Sequence, residues 1–133
     1  MSDYTGKPGG EVLAGDEPLP LRLDLMNHSP TGFAWGYGGS GPAQLALALL
    51  AHALGPERER EALPIYQDYK RLVIEKLPSD QPWSLTKNKV LAAAVVCGLQ
   101  WDDEPLHFMW LNGGGCEAQV RMPDGTVEWV KES

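Results

Sequence analysis

Apolar and polar residues alternate with a period of two near the start of the chain, which predicts a short β-hairpin. In the segment Pro18–Leu25 every second residue is a leucine, so the leucines would share one buried face. The segment Glu11–Ala14 would be the partner strand, with Gly15–Glu17 as the turn between them. Because the two prolines of the second strand cannot donate amide hydrogen bonds, we expect that strand to lie at a sheet edge.

The pattern changes to a helical one after residue 40. Pro42 suits the first turn of a helix, and Gly55–Pro56 ends the apolar pattern at Leu54. Gln44 and His52 are the polar residues in this stretch. A helix that is apolar on nearly every side is typical of a core position, so we expect this one to lie at the centre of the fold.

Two further helices are predicted after the first. Apolar residues recur every three or four positions between Arg58 and Leu77, with Pro64 either starting the regular part or kinking it. A third helix is expected over Leu85–Cys97, capped by Ser84 or Thr86 and ended by the following glycine.

Alternation with a period of two returns after Leu106 and predicts a three-stranded antiparallel meander. A first turn at Asn112–Gly115 would place His107 opposite Val120. A second, two-residue turn at Asp124–Gly125 would place the next strand beside the middle one.

The second turn fixes the predicted register of the last two strands. Arg121 would lie opposite Glu128, a favourable charge pair, and Val120 opposite Trp129. Val127 and Trp129 would then share the apolar face of the sheet with Val120. The same register leaves two aromatic residues on the polar face, Phe108 and Trp110.

Together these elements predict an α+β fold of about three helices packed on small antiparallel sheets, with an N-terminal hairpin and a C-terminal three-stranded meander. A length of 133 residues fits one domain, 1–133. Within it we expect 1–10 to be a flexible lead-in, 18–100 the core, and 101–133 an additional acidic meander.

Composition restricts the classes of partner. The net charge is −7, which disfavours direct nucleic-acid binding and favours a protein partner with a basic surface. Two cysteines are too few for a disulfide framework. The chain shows neither a secretory signal pattern nor the roughly 20 apolar residues of a membrane span, so we expect a cytoplasmic location and no membrane contact.

The segment 28–41, which we call the glycine-aromatic loop, is the strongest candidate site. It combines glycines and aromatic rings immediately before a helix, an arrangement typical of functional loops. Its candidate ligand or partner residues are His28, Ser29, Thr31, Trp35, Tyr37, Gly38, Gly39 and Ser40.

Established catalytic patterns are poorly matched. Gly36–Gly41 fits G-x-G-x-x-G, but a second helix follows where a dinucleotide fold needs a strand, and Pro42 removes one amide. Asp24, His28 and Ser29 are close in sequence without the geometry of a triad being implied. Paired metal-ligand spacings are also missing. We therefore predict no catalytic residue, no metal and no cofactor.

Two segments carry a family resemblance: His28–Phe33, which reads HSPTGF, and Trp35–Ala48, which reads WGYGGSGPAQLALA. Over residues 18–86 the chain resembles a family of small uncharacterised proteins of bacteria, phages and plasmids, whose activity is unassigned. The resemblance implies a mobile-element context and no catalytic residue.

The leading hypothesis is a non-enzymatic protein-binding or regulatory protein. It would act as an acidic inhibitor of a host nucleic-acid-handling or defence complex, in the manner of an anti-CRISPR protein, by offering carboxylates where phosphates would lie. Its partner-binding residues would be Asp102, Asp103, Glu104, Phe108, Trp110 and Glu117.

Two alternatives remain open for the glycine-aromatic loop. In the first, the loop binds a small ligand or nucleotide, or forms an enzyme site, with Trp35 and Tyr37 stacking on a ring. In the second, the loop is structural, and Phe33, Trp35 and Tyr37 pack under the helices.

Overall fold

A computed structural model describes residues 3–100, 107–112, 115–122 and 125–131. Residues 107–112, 115, 116 and 131 are described by their backbone alone. The fold is α+β, as the sequence predicts. Its strands are β1 (Asp3–Lys7), β2 (Glu11–Ala14), β3 (Glu17–Pro18), β4 (Trp83–Thr86), β5 (His107–Asn112), β6 (Gly115–Arg121) and β7 (Val127–Lys131), and its helices are α1 (Ser40–Leu54), α2 (Tyr66–Leu72) and α3 (Lys87–Val96).

The first sheet is antiparallel and has the strand order β3-β2-β1-β4. β1 lies inside it, where Tyr4 pairs with Ala14 on one side and with Leu85 on the other. Tyr4 is fully buried. The expectation that residues 1–10 form a flexible lead-in is therefore corrected for Asp3–Lys7. This polar segment is ordered by strands on both sides, one of them distant in sequence.

The second strand of the predicted hairpin is much shorter than expected. β3 is followed by one more ladder bond, from Leu19 N to Val12 O (3.0 Å), and the chain then leaves the sheet. Arg22 has a positive φ of 60°, a conformation incompatible with a strand. Leu23 is exposed rather than facing the core. The leucine alternation of residues 18–25 was thus wrongly interpreted as a strand over its whole length.

α1 is the central helix, as predicted, and it begins and ends within two residues of the expected positions. Twelve of its 15 residues are buried. Gln44 is the one buried polar side chain among the described residues. The other helices pack around α1, and both α2 and α3 contact it directly.

The predicted second helix is interrupted. Residues Glu59–Ala62 form a 3-10 turn, α2 follows after Pro64, and Ile74–Lys76 form another 3-10 turn. Proline lacks an amide hydrogen and clashes with the preceding helical turn, which explains the first break. The apolar spacing nevertheless points inward, because Tyr66, Tyr69 and Ile74 are buried.

The C-terminal sheet has the order β5-β6-β7. His107 pairs with Val120, as predicted. The second predicted register is wrong by one residue, since Val120 pairs with Glu128 and Arg121 with Val127.

A backbone hydrogen bond between Met122 and Thr126 accompanies this shift. Met122 N donates to Thr126 O at 2.7 Å, and Gly125 has a φ of +92°, a combination typical of longer hairpin loops. A shift of one residue exchanges the two faces of a strand. Val130 is consequently buried against the core, and Trp129 is 51 % exposed instead of facing inward.

Candidate functional site

Gln44 fixes the first half of the glycine-aromatic loop to α1. Its Oε1 accepts from the backbone N–H groups of His28 (2.7 Å) and Ser29 (3.0 Å). Its Nε2 donates to the carbonyl oxygens of Leu21 (2.6 Å) and Met26 (3.0 Å). The buried amide of Gln44 is therefore fully hydrogen-bonded, and it holds the segment before the loop against α1.

Trp35 fixes the second half. It is 5 % exposed, and its indole N–H donates to Pro78 O at 3.0 Å. Its ring meets Trp83 edge to face, with centroids 5.4 Å apart. Gly36 N also donates to Ile74 O at 3.0 Å. Trp35 thus acts as a core anchor of the loop, in agreement with the structural interpretation, and its ring is not available to stack on a ligand.

His28 also contacts another residue of the fold, Tyr66. Its Nε2 lies 2.7 Å from the Tyr66 hydroxyl, and the two rings pack with centroids 5.6 Å apart. Asp24 does not approach it, because the Asp24 carboxylate is bound by the Arg22 guanidinium at 2.9 Å. Hydrogen bonding to Arg22 lowers the pKa of Asp24 below its ordinary value. The structure therefore assembles no Asp–His–Ser triad from these residues.

The remaining predicted loop residues lie at the surface, around a cleft of about 440 Å³ at the start of α1. Tyr37 is 55 % exposed, and its ring covers Gly39, where an added Cβ would lie 2.9 Å from the ring edge. Gly38 lies beside the Glu75 carboxylate. We call this feature the loop cleft, and it is lined by Ser29, Thr31, Gly32, Phe33, Ala34, Tyr37, Ser40 and Gly41.

The electrostatics of the loop cleft come from the helix start. No side chain caps the first amides of α1, and the first turn holds no acidic residue. The positive end of the helix dipole therefore faces this region without a compensating carboxylate on the helix itself. The described lining residues include neither lysine nor arginine.

The structure describes only some of the predicted tail residues. Asp102, Asp103 and Glu104 lie outside the described residues. Phe108 and Trp110 are described by their backbone alone, paired with Gln119 and Glu117 respectively. The role of these residues in partner binding stays a prediction.

Sequence reasoning missed two residues of this site. No role was predicted for Gln44 from the sequence, although a lone amide on a helix that is apolar on nearly every side signals a buried hydrogen-bonding group. Glu75 reaches the loop from a 3-10 turn distant in sequence, and no local pattern marks it.

Across the ranges that the structure describes, no three histidine, cysteine, aspartate or glutamate residues are grouped as metal ligands would be. None of the helices found there has the length and apolarity needed to cross a membrane.

The fold and the loop together define a small α+β protein with a surface loop that is fixed by hydrogen bonds at the start of its central helix. Comparison with known proteins places it further: the chain belongs to a family of unknown function, DUF6166, whose sequence model matches residues 4–96. The match extends beyond the segment 18–86 on which the resemblance rested, and it ends before the C-terminal sheet. No curated protein and no solved structure matches the chain.

Proposed function

We propose that the chain is a non-enzymatic binding protein that receives a basic segment of a protein partner at the loop cleft. The observation that supports this most is the exposed Tyr37 ring, displayed on a loop whose two halves are fixed by Gln44 and Trp35. A binding surface that is already ordered loses little conformational entropy when the partner arrives.

The chemistry around Tyr37 fits a cationic side chain. An aromatic face attracts the guanidinium or ammonium group of arginine or lysine. The Glu75 carboxylate beside Gly38 offers a hydrogen-bond acceptor close by, with Lys70 Nζ 4.0 Å from its Oε2. The net charge of −7 would accelerate encounter with a basic surface and make binding sensitive to salt.

More specifically, we propose that the basic partner is a nucleic-acid-handling or defence complex. The acidic run Asp102–Glu104 would supply additional carboxylates to such a partner. If so, replacing these three residues by alanine should weaken binding and reduce its dependence on salt, whereas unchanged binding would remove the tail from the proposal.

A small anionic ligand is the second candidate for the same cleft. A volume of about 440 Å³ falls within the range of ligand pockets, and the uncapped start of α1 favours negative charge. The absence of lysine and arginine from the described lining makes this candidate the weaker one.

Tyr37→Ala tests the protein-binding proposal. Affinity capture from the source cells should yield a salt-sensitive partner with the wild-type chain, and Tyr37→Ala should reduce its affinity about tenfold or more, as loss of an aromatic anchor does. Trp129→Ala is the matched control, because it removes a ring of similar exposure that does not line the loop cleft. A partner retained equally by Tyr37→Ala would contradict the proposal.

Ser40→Asp distinguishes the two candidates by the sign of its effect. The added carboxylate at the start of α1 should stabilise the helix by about 0.3–1 kcal/mol. It should strengthen capture of a basic partner and weaken binding of an anionic ligand. Partner affinity is measured by biolayer interferometry and ligand binding by thermal shift with a panel of nucleotides and sugar phosphates.

A further inference from the structure

A second cleft, of about 210 Å³, lies where β7 meets α2 and α3, and it shares no lining residue with the loop cleft. Its apolar lining comes from Tyr69, Val73, Leu77, Leu85, Ala93 and Val130. Tyr69 is fully buried, so it supports the cleft from beneath without offering ring surface to a ligand. We call this feature the strand–helix cleft.

The rim of the strand–helix cleft carries positive charge. Lys76 and Lys89 both line it, from two elements that are distant in sequence. Neither lysine forms an ion pair with any residue that the structure describes. On a chain of net charge −7, two such lysines beside one apolar cleft can attract an anion.

Aromatic surface is the third property of this cleft. Trp129 lines it while remaining 51 % exposed, so its ring is open to a ligand. Aromatic rings pack favourably on other rings, in stacked or edge-to-face arrangements. The Tyr69 hydroxyl is buried without a hydrogen-bond partner among the described residues, and burial raises its pKa, so it stays protonated and does not oppose an anion.

Size restricts the occupant. The cleft is open to solvent and has a volume of about 210 Å³, so one or two fused rings would lie partly inside it, with the rest exposed. The volume is too small for a helix or a second copy of the chain to insert more than one side chain. We propose that the strand–helix cleft binds a small aromatic monocarboxylate, with the ring against Trp129 and the apolar lining and the carboxylate near Lys76 and Lys89.

2-Naphthoate is the probe, titrated into the full chain by calorimetry. Its neutral carboxamide and octanoate are the comparators for charge and for the ring. We expect one molecule of 2-naphthoate per chain and about fivefold or greater weakening for each comparator. Equal binding of the carboxamide would overturn the role of the lysines, and tighter binding of octanoate would overturn the aromatic specificity. Absence of 2-naphthoate binding would overturn the proposal itself.

Variants locate the binding. The double variant Lys76→Met/Lys89→Met should weaken 2-naphthoate binding about tenfold, and Trp129→Ala should weaken it as well. Lys87→Met is the matched control, because Lys87 is an exposed lysine of α3 that does not line the cleft. Binding that survives the double variant would place the ligand elsewhere and reject the site. Tyr37→Ala should leave 2-naphthoate binding unchanged, so this test stands or falls separately from the loop cleft.

Discussion

At the scale of single residues, two buried side chains with hydrogen-bonding groups, Gln44 and Trp35, decide the form of the surface loop. Gln44 donates twice through Nε2 and accepts twice through Oε1, in each case with the backbone that precedes or begins the loop. Trp35 uses its indole N–H on Pro78. Each anchor joins residues far apart in sequence, which explains how a segment rich in glycine holds one conformation.

Gln44→Leu should therefore destabilise the protein strongly. Leucine fills a similar volume but leaves the N–H groups of His28 and Ser29 unpaired, and we expect a loss of about 2–4 kcal/mol in the free energy of unfolding. Urea denaturation measures it. Gln67→Leu, on a half-buried position of α2, is the control and should change stability by about 0.5 kcal/mol or less.

At the scale of elements, local sequence signals predict where helices end better than they predict which strands pair. Thr86, one of the two predicted caps, accepts a hydrogen bond from Lys89 N at 3.1 Å and begins α3. Thr86 also ends β4. The sequence did not predict this strand, because four residues after a proline are too few to show an apolar–polar alternation. β4 exists because β1 pairs with it from Asp3 to Gly6.

Thr86→Ala should cost about 1 kcal/mol of stability, since the amide of Lys89 then loses its capping partner. Ser84→Ala is a matched control two residues away. Ser84 is exposed and the cap hydrogen bond belongs to Thr86 alone, so its substitution should have little effect. Similar losses for both variants in thermal denaturation would contradict the assignment of the cap.

At the scale of the whole molecule, the C-terminal sheet covers α3. β6 and β7 both contact this helix, and Ala118, Val120 and Val130 are buried at the junction. The family match ends at residue 96, so the sheet is packed onto the family core from outside the matched region. Apolar area buried in this way stabilises by about 25 cal/mol per Å².

Truncation after Gln100 should consequently expose an apolar face of α3. We expect a melting temperature lower by several degrees and increased binding of the dye ANS, both measured against the full chain. A truncated chain that melts within about 2 °C of the full chain, with no ANS signal, would show that the sheet contributes little to the core.

The candidate site was predicted in part. The position of the loop could be inferred from its glycine and aromatic content, and Thr31, Tyr37 and Ser40 do lie at a surface cleft. The sequence could not show that Trp35 is buried and Tyr37 exposed, because both residues have similar neighbours in sequence. The burial of Trp35 depends on Trp83, which lies in β4 and is distant in sequence.

The sequence by itself determined the features whose information lies within a few residues. An unbroken apolar pattern makes α1 a core helix, and the chemistry of proline, glycine and threonine sets the helix boundaries. Only the tertiary structure decided that β1 is an inner strand, that residues 21–29 fold around Gln44, and that β7 is shifted by one residue. These features depend on hydrogen-bond partners from distant parts of the chain, and a polar or glycine-rich segment carries no local pattern that names its partner.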